Sequence, residues 1–182
     1  MSSHDLLGGH AAPSFDDPLG MLRACHRRIE KQLATLDRLQ RHLPEHGCDD
    51  DARAAARAIM RYFDTGAVNH HADEEASVFP RLVAARGEPA RAVAELLEAE
   101  HRELAANWQR LRPLLAGIAT GSRANLSPHD VTVTSEAYAR HITVEEAELL
   151  PMAESAFDAA TLQEIGREMA VRRNVDLDPV QR

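Results

Sequence analysis

Aromatic residues make up only 4% of this 182-residue chain, and runs of Val, Ile and Thr alternating at period two are nearly absent. Val131–Thr134 is the one short stretch that reads as a candidate strand. A predominantly β fold draws on both features, so it is excluded. Cysteine is as scarce: Cys25 and Cys48 are the two thiols, and their spacing forms no metal or redox motif. Reduced cysteines in a cytoplasmic setting are expected. No apolar run reaches the length needed to span a bilayer. The segment Met1–Asp17 has no basic stretch leading into an apolar one, so no signal peptide is read there. No block of Lys or Arg stands out and the net charge is −8. Neither nucleic acid nor an anionic membrane is therefore expected as the main partner.

What the chain has in quantity is Ala, Leu, Arg and Glu, with 44% hydrophobic residues overall. That composition points to an all-α protein, and the length suits one domain with a substantial core. Residues 1–15 read as a flexible tail, 16–173 as the folded domain and 174–182 as a polar C-terminal tail. Asp16, Asp17 and Pro18 mark a helix start. From there Leu19, Leu22, His26, Ile29, Leu33, Leu36 and Leu43 recur at three- and four-residue steps, interrupted at Gln40.

A turn is expected over Pro44–Asp49. The second helix then carries Ala56, Ile59, Phe63, Ala67, His70 and Glu74 on one face. It contains Gly66 and runs on toward Pro80 and Gly87. A third helix presents Leu97, His101, Leu104, Trp108, Leu111 and Leu115. After a loop with Gly117, Gly121 and Asn125, Ser127 and Pro128 open a fourth helix, whose inner face reads Thr134, Tyr138, His141, Glu145 and Leu149. A shorter amphipathic segment from Asp158, with Leu162, Ile165 and Met169, is expected to pack outside. Similar helix lengths and short turns favour an antiparallel up-down-up-down four-helix bundle with a short extra C-terminal helix.

Ten histidines are the unusual number. His26 lies about 17 residues before the end of its helix and His70 about 19 after the start of the next, at about 1.5 Å per residue. His101 and His141 stand at similar distances from the third turn. Their heights agree to within about one helical turn, so four imidazoles from four helices are expected in one layer. Glu74 and Glu145 stand at i+4 from His70 and His141, on the same faces. Two imidazoles per metal with two bridging carboxylates suit a pair of iron or manganese ions and leave open positions for an oxo or hydroxo bridge and an exogenous ligand.

The chain also repeats itself. His70-His71-Ala72-Asp73-Glu74-Glu75 ends in Phe79-Pro80, and His141-Ile142-Thr143-Val144-Glu145-Glu146 ends in Leu150-Pro151. Leu22, His26 and Ile29 likewise match Leu97, His101 and Leu104. Each half reads as a helical hairpin presenting one His and one His-x-x-x-Glu. The repeat assigns His71 and Glu75 to the flank, since their counterparts are Ile142 and Glu146.

The strings HHADEEASVFP and RHITVEEAELLP, with His26 and His101, resemble the hemerythrin-like HHE cation-binding family over roughly Asp16–Ala156. The resemblance implies a di-iron site with His26, His70, Glu74, His101, His141 and Glu145 as ligands. Oxygen-carrying hemerythrins have a further histidine one turn after the third-helix ligand, where this chain has Ala105, and their last carboxylate lies one residue beyond Glu145. The four-His, two-Glu set is more similar to the di-iron domain of iron–sulfur-cluster repair proteins, although their cysteine-bearing N-terminal domain is missing.

Expected is a protein binding O2, NO or peroxide at two iron ions, with Mn or Zn as other metals the donors accept, in sensing or stress response. The alternatives are an enzyme turning over peroxide or NO with an external electron donor, or iron storage and delivery for cluster repair. His71 and Tyr138 are placed beside the centre, in a second shell or pocket. Glu75 and Glu146 are read as solvated flank, Phe63 and Trp108 as core, and Cys25 as packing. His4, His10, His42, His46 and His129 fall in tails or loops. Oligomeric state is not legible.

Overall fold

The computed structural model describes residues 14–177, so the N-terminal tail enters it only at Ser14 and Phe15, and His4, His10 and residues 178–182 lie outside. The described residues are helical, with no strand among them; Val131–Thr134 lies within a helix. The helices are α1 (Pro18–His46), α2 (Asp50–Phe63), α3 (Gly66–Asp73), α4 (Phe79–Arg86), α5 (Glu88–Thr120), α6 (Pro128–Val144), α7 (Leu150–Ala156) and α8 (Ala159–Arg172). Their starts follow the acidic and hydroxyl signals in the sequence. Asp17, Asp49, Ser127 and Asp158 each accept a hydrogen bond from a backbone N–H of the first turn that follows.

α1 packs on α2 and α6, and α5 packs on the same two, so four helical segments surround one core. The core has two apolar parts. One holds Ile29, Leu36, Ile59, Phe63, Leu104 and Leu111; the other holds Leu22, Val78, Phe79, Leu97, Leu149 and Ile165. His26 sits between Leu22 and Ile29 along α1, and His101 between Leu97 and Leu104 along α5. A polar layer is thus clamped between two greasy ones.

Several expectations need correction, among them the placing of His42, His46 and His129 in tails or loops: the first two lie in α1 and the third in the first turn of α6. The second helix is not continuous: it stops at Phe63 and restarts at Gly66. Thr65 leaves helical geometry at the break, and the preceding Asp64 is held from outside by Arg112 and by the Trp108 indole N–H at 3.0 Å. Gln40 does not interrupt the α1 stripe, because Leu39 carries it from Leu36 to Leu43 and is buried. Pro44 lies inside the last turn of α1 rather than beyond it. Gly117 is helical, and α5 ends at Gly121 in a left-handed cap.

α8 does pack on the bundle, with Ile165 and Met169 fully buried. The backbone of Phe15 crosses it so closely that a Cβ on Gly166 would stand 1.8 Å from the Phe15 carbonyl oxygen. Among the described residues, no helix is long and apolar enough to cross a membrane.

Candidate metal centre

The second and fourth helical segments both swell into a π-helical turn at the carboxylate of the repeated motif. These turns span Glu74–Val78 and Glu145–Leu149, where Phe79 N–H donates to the Glu74 carbonyl and Leu150 N–H to that of Glu145. The cause is legible in the motif. In a regular α-helix the rings of Pro80 and Pro151 would press on the carbonyls of Ala76 and Ala147, and neither proline can donate. The wider turn carries the chain past that clash. Such turns are frequent at functional sites, and here each begins at a buried glutamate.

The structure brings all six sequence-selected donors together. His70, Glu74, His141 and Glu145 are fully buried, and His26 and His101 are 2% and 4% exposed. Glu145 stands at the middle: Oε2 is 2.6 Å from His26 Nε2 and 3.6 Å from His70 Nε2, while Oε1 is 2.7 Å from His141 Nε2 and 3.9 Å from His101 Nε2. Glu74 repeats the division, with Oε1 3.7 Å from His70 Nε2 and Oε2 3.3 Å from His101 Nε2. Two donor sets result, His26/His70/Glu74/Glu145 and Glu74/His101/His141/Glu145, each within 4.8 Å. Both carboxylates belong to both sets, so each offers one oxygen to each pair of imidazoles. That is a bridging arrangement.

Three imidazoles are oriented from behind. Glu146 Oε1 lies 2.6 Å from His26 Nδ1, Glu75 Oε1 2.6 Å from His101 Nδ1, and Glu100 Oε2 3.1 Å from His141 Nδ1. A carboxylate on Nδ1 fixes the tautomer that leaves Nε2 facing the centre and makes it a better donor. This corrects the reading of Glu75 and Glu146 as solvated flank: their side chains are 47% and 40% exposed, yet one oxygen of each is engaged. The repetition of two consecutive glutamates in both motifs was the signal for them. Glu100 went unnoticed, and its place directly before His101 was the available hint. Among the described residues, His70 has no such partner.

Electrostatics sharpen the picture. Burial and the nearby Glu145 push the Glu74 carboxyl well above its ordinary range. Burial acts the same way on Glu145, but the four imidazoles crowded around it win and hold it well below. Burial disfavours the charged form of His26 and His141, yet Glu145, with Glu146 and Glu100 behind, raises both. His70, fully buried and without a carboxylate on Nδ1, is lowered.

Among the described residues, the four Nε2 atoms and all four carboxylate oxygens find no hydrogen-bond partner of acceptable geometry despite the short separations. Contacts that short and that misaligned are what donors aimed at shared points between them give. Leaving so many buried polar atoms unmatched costs several kcal/mol in total, and cations accepting those lone pairs would remove the cost. The donor set fits a pair of cations.

His71 lies beside this layer. Its ring stacks on His101 with centroids 4.0 Å apart and meets His141 edge-on at 5.5 Å. It groups with His70 and His141 as a third set of neighbouring donors. Tyr138 is buried and stacks loosely on His71 at 6.4 Å. Phe63 belongs to the core and Trp108 is partly buried against it. Buried Cys25 and half-buried Cys48 are both free thiols.

Beneath Glu74, fully buried Asp73 is gripped by Arg172 and Arg173 at 2.6 Å each. Ser77 of the first π turn donates to Glu168 at 2.5 Å, and Arg81 pairs with the same Glu168 at 2.7 Å. α8 is therefore tied by charge to the backbone that carries Glu74, a link the sequence pattern did not suggest.

Similarity to other proteins agrees with this geometry. Residues 17–153 match the sequence model of the hemerythrin HHE cation binding domain. An uncharacterized protein of Haemophilus influenzae is 32% identical over 162 residues, which cover 89% of this chain and 93% of that one. The chain belongs to the hemerythrin HHE cation-binding family.

Proposed function

We propose that the chain holds two iron ions and binds a small molecule such as O2, NO or peroxide there, in sensing or in the response to oxidative or nitrosative stress. The observation that carries this reading is the division of Glu74 and Glu145, each giving one oxygen to the His26/His70 pair and one to the His101/His141 pair. His26 and His70 would hold one ion and His101 and His141 the other, with both glutamates bridging. Bound iron would supply redox activity and coordination positions free of protein donors.

The residues around it hold the imidazoles in one tautomer through Glu75, Glu100 and Glu146, and keep bulk water out with the apolar layers on either side. The same reading takes the four helical segments as an up-down-up-down bundle in the cytoplasm.

Metal analysis of protein from its native host tests the iron assignment, since these donors also accept manganese and zinc. We expect about two ions per chain. His101→Ala or Glu74→Ala should sharply lower that content, whereas His71→Ala should not. Reducing the iron-loaded protein without air, then adding O2, NO and peroxide in turn, separates the roles. A reversible spectral change supports binding or sensing. Repeated turnover of peroxide or NO would make it an enzyme dependent on an external electron donor, and loss of iron to an apo-acceptor would make it a delivery protein.

A further inference from the structure

A cavity of about 150 Å³ opens between α2, α3, α5 and α6, walled by Phe63, Ala67, Leu104, Trp108 and Tyr138, with His71 at the end next to the centre. Its walls are fixed by contacts already described and a few more. Trp108 is anchored to Asp64 at the helix break, and Phe63 lies 5.1 Å from Trp108 and 5.4 Å from Tyr138. His71 presents a nitrogen, Nε2, that is buried and has no hydrogen-bond partner among the described residues. Its ring covers His101 and abuts His141, both of the second donor set.

The internal repeat shows what is particular to this cavity. His71 corresponds to Ile142, Leu104 to Ile29, and Trp108 to Leu33. All three counterparts are packed in the core. Histidine where the repeat has isoleucine therefore puts a polar group at the end of this cavity next to the His101/His141 half.

We propose that His71 is a ligand-binding residue. A diatomic or similarly small, weakly polar molecule would enter through this cavity, accept a hydrogen bond from His71 Nε2–H, and meet the centre on its His101/His141 side. The volume suits such an occupant, since mostly apolar cavities of this size take up xenon or benzene-sized guests. A single buried donor at the inner end gives orientation, as in small-molecule sites generally. This inference rests on the binuclear reading above, and its test is arranged so that the two can fail separately.

Three full-length variants serve: His71→Leu removes the donor, His71→Gln keeps an N–H, and Ala105→Phe places bulk at the exposed cavity wall. Metal per chain should match the parent in all three. With nitric oxide as the probe on iron-loaded, reduced protein, His71→Leu should release it about tenfold faster, the loss of one hydrogen bond. His71→Gln should restore most of that, and Ala105→Phe should slow uptake by a similar factor. Metal loss in His71→Leu would make His71 a metal ligand and overturn the proposal. So would parental nitric oxide kinetics in both His71→Leu and Ala105→Phe.

A second arm needs no iron. Under dissolved xenon, the indole N–H resonance of Trp108, the sole tryptophan, should shift in the metal-free parent and stay put in Ala105→Phe. Absence of a shift in the parent overturns the cavity whatever the metal content. Failure of the parent to bind metal would count against the binuclear reading alone.

Discussion

Six side chains aim nitrogen or oxygen at one volume, but the outer glutamates decide how firmly they aim. Glu146 and Glu75 hold His26 and His101 by Nδ1 from partly exposed positions. Removing either loses little packing and leaves one imidazole Nδ1–H without its acceptor, so stability should fall by only about 1 kcal/mol. Metal affinity should nonetheless fall about 10- to 100-fold in Glu146→Ala or Glu75→Ala, read by competition with a chelator, while Glu145→Ala should abolish binding of both ions. Equal affinities for Glu146→Ala and the parent would show that these carboxylates are bystanders. The inner six residues were readable because histidines interrupt apolar stripes at matching heights and a glutamate follows at i+4. The outer three were hidden because a glutamate on a helix normally touches only water, and what each one reaches depends on the neighbouring helix. Glu146 reaches α1 across 120 positions of chain and Glu75 reaches α5.

Elements carry the next layer of explanation, and α8 is the informative one. Its arginines neutralise Asp73, which has no exposure at all. Replacing both Arg172 and Arg173 by Ala strands that charge and should cost about 3–5 kcal/mol, measured by urea unfolding, with α8 losing amide protection first. Asp73→Ala should cost less, because the two partly exposed guanidiniums can turn to water. Acidity should act at the same place. Arg81, with Ser77, outweighs partial burial and holds Glu168 below its ordinary range. A carboxylate depressed on folding stabilises above its unfolded pKa and loses that contribution as pH falls through the folded one. Protection factors of the α8 amides, taken relative to their intrinsic exchange rates at each pH, should therefore fall as pH drops from about 5 toward 3, ahead of those of α5. Helix starts were legible from Asp17, Asp49, Ser127 and Asp158, whose chemistry is local. The break at Asp64–Thr65 was not, since the partners that draw Asp64 outward, Trp108 and Arg112, lie more than forty residues away. Pro80 and Pro151 stood at equal distances after the two carboxylates, and that repetition was the unread sign of the π turns.

At the scale of the whole molecule, an apolar upper and lower core press on a layer of unmatched polar atoms, so cations and fold stability are linked. Free metal at 100 times the dissociation constant should add about 2.7 kcal/mol. For a chain of this length that is roughly 5–10 °C in melting temperature. Calorimetry with and without a strong chelator measures it, and an unchanged melting point would mean the layer is content without metal. The repeat has a further consequence. Glu145 of the second hairpin faces His26 and His70 of the first, Glu74 of the first faces His101 of the second, and Glu146 and Glu75 cross over as well. One hairpin in isolation owns half a shell and must encounter a second to close it, an event that depends on concentration. Tethering the two through residues 121–127 makes the encounter intramolecular. Cleaving that tether should turn a centre that assembles at any dilution into one that disperses when the protein is diluted.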